Sequence, residues 1–212
     1  MNTVQESKAK SDQQEAGATL NSAHRLDREF AGMAECDASH AERILRAAVE
    51  ILTQGEDLLR TLTADDFTRK VPVVFNASIG GHFRHCLDHF TSLLLALDAD
   101  AVDYDHRKRD PRIETQPDFA LTLTAEMRRT LEQLMPDTLC TEVKARCEVS
   151  YTHGNSPITR STLARELVYC IAHAIHHYAL ISVMARLMEV QLPEHFGVAP
   201  STVSHSRKVA TA

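Results

Sequence analysis

Residues 162–188, TLARELVYCIAHAIHHYALISVMARLM, decide the fold. Apolar side chains and one histidine recur here at alternating steps of four and three residues, the period of one helical face; they are Leu163, Leu167, Cys170, Ala174, His177, Ile181, Met184 and Met188. Ser161 or Thr162 stands just before them and suits the capping position of a helix. The stretch therefore predicts one long amphipathic helix with His177 on its core face.

Three earlier stretches show the same rhythm. They cover residues 37–62, residues 78–97 with Ser78 as the cap, and residues 115–134 with Pro117 in the first turn. Low glycine and proline content, 7 of each in 212 residues, also favours helices over a turn-rich β architecture. Four such helices are too few for a solenoid and are typical of a bundle. The sequence thus predicts an all-α four-helix bundle.

The remaining segments set the predicted domain limits. Residues 1–35 are polar, with little large apolar content, and predict a disordered or loosely ordered tail. The bundle occupies residues 36–200, and residues 201–212 form a flexible carboxyl-terminal tail. Residues 98–115 carry dense charge of both signs and predict a long loop.

One short segment has the period of a strand instead. Apolar and polar residues alternate between Glu142 and Thr152, and a turn signal follows at residues 153–155. A strand needs a partner for its backbone groups, so we expect a small strand pair between the third and fourth helices, with residues 71–75 as the partner.

Composition limits the classes of function. The chain has 29 acidic and 23 basic residues, a net charge of −6, which does not favour nucleic-acid binding. No signal peptide or run of about 18 apolar residues is visible, so we expect no membrane partner. Five widely spaced cysteines without a CxxC pair argue against a disulfide framework or a cysteine zinc site, and a cytoplasmic location fits them best.

Histidine is concentrated in two places. Six of the 12 histidines fall within residues 82–89 and 173–177. His173 and His177 are four residues apart, so they project from one helical face on adjacent turns. The helix after Ser78 offers a third imidazole from His82, His85 or His89. Three imidazoles from two helices make an open site for a divalent metal, and satisfied core or surface histidines are the alternative.

Other metal-site patterns fit less well. The zinc-protease motif HExxH needs Glu where this chain has Ala174. The di-iron carboxylate bundles need Glu-x-x-His pairs, which the helices lack. Glu166, two turns before His173, is the one obvious candidate for a bridging carboxylate.

The segments SIGGHFRHCLDHF (residues 78–90) and RELVYCIAHAIHHYALI (residues 165–181) resemble the DinB/YfiT-like superfamily of bacterial metalloproteins. The resemblance covers roughly residues 37–200 and implies an up-down-down-up four-helix bundle. It also implies a metal site of His85, His173 and His177, because His85 stands seven residues after the Ser-Ile that opens its helix. From the apolar stripe alone, His82 and His89 lie nearer the core, so His89 stays open as the substitute.

The resemblance implies one divalent metal ion, zinc or nickel first, with iron or manganese as alternatives. Characterised members include transferases and isomerases that use low-molecular-weight thiols such as bacillithiol or mycothiol. It therefore implies a metal-dependent S-transferase, isomerase or hydrolase acting on a small electrophilic substrate with a thiol. A non-catalytic metal-binding or stress-related protein is the alternative, and a homodimer is compatible with the sequence.

Two further segments have competing interpretations. Arg107, Lys108 and Arg109 either cover the open end of the bundle and bind substrate carboxylates, or form a solvated loop. The segment VAPSTVSH, residues 198–205, resembles the recognition helix of a helix-turn-helix repressor, but Pro193 interrupts the approach and the acidic charge opposes DNA binding.

Overall fold

Helices make up most of the computed structural model, which describes residues 37–152 and 154–210. The helices of this part are α1 (Ala38–Leu59), α2 (Ala64–Thr68), α3 (Ile79–Leu95), α4 (Arg112–Thr115), α5 (Pro117–Gln133), α6 (Leu163–Leu187) and α7 (Pro200–Ala210). The strands are β1 (Ala101–Asp103), β2 (Glu142–Arg146) and β3 (Ile158–Thr162), and 3-10 turns cover Ala96–Asp98 and Pro136–Cys140. The tail predicted over residues 1–35 lies outside the described residues.

The four long helices α1, α3, α5 and α6 are the ones that the sequence predicts. Helix α1 packs against α5 and α6, and α3 packs against α6 and α5. Ser78 and Thr162 cap α3 and α6, each accepting a hydrogen bond from a backbone N–H of the first turn. The predicted helices and their two caps are therefore confirmed.

A close approach between α1 and α6 fixes the centre of the core. A Cβ atom on Gly55 would lie 2.2 Å from the hydroxyl oxygen of Tyr178, so only glycine admits the tyrosine there. The buried Tyr178 ring also packs against Phe83 of α3 and is stacked on Phe196. This cluster joins three of the four long helices and sets the relative position of α3 and α6.

The sheet differs from its prediction. It has three strands in the order β1-β2-β3, with β1 parallel and β3 antiparallel to β2. Strand β2 ends at Arg146 instead of continuing to residue 152. The partnership with residues 71–75 is wrong, because Val71 forms an isolated bridge with Ala77 and the segment turns back on itself through left-handed Phe75 and Asn76.

The predicted long loop is also wrong in part. Residues 98–115 contain strand β1 and the one-turn helix α4. Neither has enough residues to show a period of its own, and β1 exists because its backbone pairs with β2 across more than 40 residues of chain. After β1 the segment brings Arg107 into contact with His89 of α3.

Helix α6 is long and apolar enough to cross a membrane by length and composition alone. Its apolar residues are interrupted by His173, His176 and His177, so the expectation of no membrane span stays a prediction. One such helix is weak support for a membrane span, because a core helix passes the same test, and α6 packs against α1 and α3.

Cys86 and Cys170 are free and buried, as small core residues are, whereas Cys140 is disulfide-bonded and departs from the expectation for these cysteines.

Nearly all side chains of α7 are exposed. A recognition helix packs on a preceding helix, so this exposure does not favour the DNA-binding alternative.

Candidate metal centre

Helices α3 and α6 bring three histidines together. His85 of α3 faces His173 and His177 of α6, with ring centroids 4.8 and 4.7 Å away. One ring nitrogen from each residue lies within 4.8 Å of the other two. The three residues that the family resemblance implies as ligands thus form a cluster in which no carboxylate or thiol takes part.

The donor set suits a divalent metal. Nitrogens bound to one zinc ion at about 2.1 Å are roughly 3.4 Å apart, so modest rotations of these half-buried side chains would bring them into range. Nε2 of His173 is buried and has no hydrogen-bond partner among the described residues. Because an unsatisfied buried nitrogen is costly, a metal would supply what this atom lacks.

Electrostatics hold the imidazoles neutral. Burial lowers the pKa of His85 to about 2, that of His173 to about 4 and that of His177 to about 3. The neighbouring histidines lower these pKa values further, because two imidazolium ions so close would repel each other. Neutral imidazole is the form that binds metal ions, so the cluster is ready for one at neutral pH.

His89, the substitute ligand, has other partners. Its Nδ1 lies 2.8 Å from the carbonyl oxygen of His85 and must donate a hydrogen bond to it. Nη1 of Arg107 lies 2.9 Å from both ring nitrogens, and Nε2 is the one that can accept a hydrogen bond from it. Both ring nitrogens are engaged, and burial lowers the pKa of His89 to about 4. The apolar stripe correctly places His89 in the core, but the geometry favours His85 as a ligand.

His82 lies beside the cluster. Its Nδ1 lies 2.9 Å from Nδ1 of His177, so one of the two rings donates a hydrogen bond to the other. Such a bond fixes the tautomer and the orientation of a histidine that binds metal through its other nitrogen. Sequence reasoning offers His82 as a third ligand and does not foresee this role.

His176 lies at the edge of the site. Its side chain is exposed, and its ring centroid is 5.1 Å from that of His177. Adjacent helix positions are rotated by about 100°, and the His176 ring meets the His177 ring edge-on without belonging to the three-histidine group. It is a natural control for experiments on the other histidines.

A buried polar network borders the other side of the cluster. The Tyr104 hydroxyl donates a hydrogen bond to Glu166 over 2.9 Å, and the Ser161 hydroxyl donates to the second carboxylate oxygen. The Tyr104 ring is stacked on His89, with centroids 5.2 Å apart. Glu166 is thus held by two hydroxyls outside the triad, and the bridging carboxylate considered from the sequence does not form. Tyr104 gives no sequence signal, because β1 is too short to have one.

The comparisons with known proteins agree with this arrangement. The family model of the DinB superfamily matches residues 49–181, which include α3 and the part of α6 that carries its histidines. A curated relative, FK506-binding protein 5 of Rhizopus delemar, is 26% identical over 166 residues; the match covers 77% of this chain and 38% of that protein. The chain therefore spans less than half of this relative's length. With the family model matching well over half of its residues, the chain belongs to the DinB superfamily.

Proposed function

We propose that the protein holds one divalent metal ion on His85, His173 and His177 and acts as a metal-dependent enzyme with a small thiol. The observation that carries this proposal is the convergence of three imidazole nitrogens within 4.8 Å. Zinc and nickel are the first candidates for the metal, since both accept neutral imidazole ligands, and iron or manganese are alternatives.

Three protein ligands leave coordination positions for other molecules. A metal bound there supplies Lewis acidity, which lowers the pKa of a coordinated thiol or water. The protein's own residues keep the ligands neutral, orient His177 through His82, and limit the approach of solvent to half-buried rings. This chemistry suits a thiol-dependent S-transferase, an isomerase or a hydrolase.

An open cavity leads to the proposed ligands. It measures about 390 Å³, and its lining includes His82, His85 and His177 together with Lys70, Arg84 and Glu114. Its size fits a small electrophile, and the charged side chains in its wall can bind a polar group of the substrate. Because it is open to solvent, substrate can enter without unfolding of the helices.

We propose that the protein is cytoplasmic. Its partners are a low-molecular-weight thiol and a small electrophile, and it binds neither nucleic acid nor a membrane. A homodimer is the assembly we consider first. For the fold we propose the up-down-down-up order of the family for α1, α3, α5 and α6.

The test is thiol consumption by purified protein loaded with zinc or nickel. Glutathione, bacillithiol and mycothiol are each mixed with electrophilic test substrates, and the free thiol is followed over time. Loss of thiol that requires metal and is abolished in His173→Ala supports the enzyme. Full metal occupancy without turnover of any pair would favour the alternative, a non-catalytic metal-binding or stress-related protein.

A further inference from the structure

Arg107 is the cation beside the three histidines. It lies in the connection between β1 and α4, is half-buried, and places Nη1 2.9 Å from both ring nitrogens of His89. His89 in turn donates to the carbonyl oxygen of His85. The guanidinium is therefore held one ring away from the triad, whereas Lys108 and Arg109 are exposed.

Arg107 lacks an acidic partner in the described part of the chain. Arg84 of α3 contacts both Asp88 and Glu114, whereas Arg107 contacts a neutral imidazole. Its Nε atom is buried and forms no hydrogen bond. A half-buried guanidinium normally pairs with a carboxylate or phosphate. Arg107 is close enough to the buried Asp88 carboxylate to lower its pKa, but Asp88 is bonded to Arg84, and Arg107 has no carboxylate in direct contact among the described residues.

The proposed metal centre adds further positive charge next to Arg107. Among residues 37–152 and 154–210, no carboxylate accepts a hydrogen bond from His85, His173 or His177. A divalent ion on three neutral ligands keeps its full charge of +2, and Arg107 adds a further positive charge nearby. The charge of Arg107 reaches the cluster, since it contributes to the lowered pKa values of His85 and His173. Such a centre attracts an anion.

We propose that the molecule bound at this centre, substrate or thiol, carries a carboxylate that Arg107 binds next to the metal. The inference rests on the proposed metal site and names the chemical class of its ligand. The carboxylate would supply the acid partner that Arg107 lacks and would offset the charge of the centre. Arginine presents its donors as a planar fork that matches a carboxylate, which lysine does not.

Cobalt-loaded protein provides the test, because Co(II) absorption reports on anions that bind at its centre. Wild type, Arg107→Gln, Arg107→Lys and the matched surface control Lys108→Gln are titrated with acetate, and with neutral acetamide as the ligand control. Cobalt content is measured for each protein beforehand. We expect acetate to bind at least about tenfold more weakly to Arg107→Gln, because a charge-assisted hydrogen bond is lost. The acetate affinity of Arg107→Lys should lie between those of wild type and Arg107→Gln, and the affinity of Lys108→Gln should equal that of wild type.

The outcomes separate this inference from the proposed function. Full cobalt content with equal acetate affinity in wild type and Arg107→Gln overturns the role of Arg107 and leaves the metal site standing. Loss of cobalt from Arg107→Gln also overturns the proposed role of Arg107 in carboxylate binding, since Arg107 would then act by holding His89 and the three proposed ligands in place. A wild-type protein that binds no cobalt, zinc or nickel overturns the metal site and this inference with it.

Discussion

Nδ1 of His82 lies 2.9 Å from Nδ1 of His177 and links α3 to α6 beside the proposed metal ligands. A histidine that binds metal through one nitrogen is oriented by the hydrogen bond of the other. His82 would thus act on the metal through His177.

Replacing His82 with Ala should therefore weaken metal binding without abolishing it. We expect a loss of affinity of about 10- to 100-fold, the range found when such supporting partners are removed. Competition with a chromophoric chelator measures the affinity. His176→Ala, which removes an exposed imidazole, should leave it unchanged. Equal affinities for His82→Ala and wild type would show that the His82–His177 contact has no bearing on the metal.

Acidification should destabilise the metal-free protein. Burial lowers the pKa values of His85, His89, His173 and His177 to about 2, 4, 4 and 3, whereas unfolded histidine titrates near 6.5. Below about pH 6.5 the unfolded chain binds protons that the folded chain excludes, so stability falls as the pH drops towards 4.

Urea unfolding of metal-free protein at several pH values between 7.5 and 4.5 measures this slope. His85→Gln removes one titrating group and should make the dependence shallower. A free energy of unfolding that stays constant, or rises, as the pH falls below 6.5 would contradict the exclusion of protons from the cluster.

The contact between Gly55 and Tyr178 predicts a strong effect of a small substitution. Gly55→Ala places a Cβ atom 2.2 Å from the tyrosine hydroxyl oxygen, so α1 or the Tyr178 ring must shift. We expect a loss of about 1–3 kcal/mol of stability, as for other overpacked cores. Gly154→Ala is the control, because a Cβ atom there meets no atom within 4 Å. Thermal unfolding should separate the two variants clearly, and similar melting temperatures would argue against the close packing of α1 on α6.

Tyr104 should support the fold more than the metal. Tyr104→Phe removes one of the two hydroxyls that donate to the buried Glu166 and keeps the ring that is stacked on His89. We expect about 1–3 kcal/mol of destabilisation with unchanged metal content. Denaturant unfolding and elemental analysis measure the two quantities. A variant that keeps full stability but loses metal would instead tie Tyr104 to the centre.

The helices could be predicted because their signal is local. The stripe from Leu163 to Met188 repeats with the helical period whatever lies opposite, and Ser78 and Thr162 cap the helix that directly follows them. The sheet could not be predicted, because the partner of a strand is determined by residues far away in the sequence. Strand β1 has three residues and no period, yet it pairs with β2.

The site was predictable only in part for a similar reason. The spacing of His173 and His177 places two imidazoles on one face of α6. On α3, however, the apolar stripe indicates which residues are buried, and the most buried histidine there is His89. The proposed ligand, His85, faces a polar cluster and is only half-buried. The family resemblance therefore indicates His85 better than the hydropathy pattern does. The contact of Arg107 with His89 could not be predicted, because it depends on the path of a loop that has no periodic pattern.

The most direct test of the three-histidine centre is metal stoichiometry after loading with zinc or nickel and exhaustive removal of loosely bound ions. Wild type and His89→Ala should retain about one ion per chain, whereas His85→Ala and the double variant His173→Ala/His177→Ala should retain little. Circular dichroism confirms that each variant is folded. Metal retained by His85→Ala and lost from His89→Ala, or no metal retained by wild type, would contradict the assignment of His85, His173 and His177.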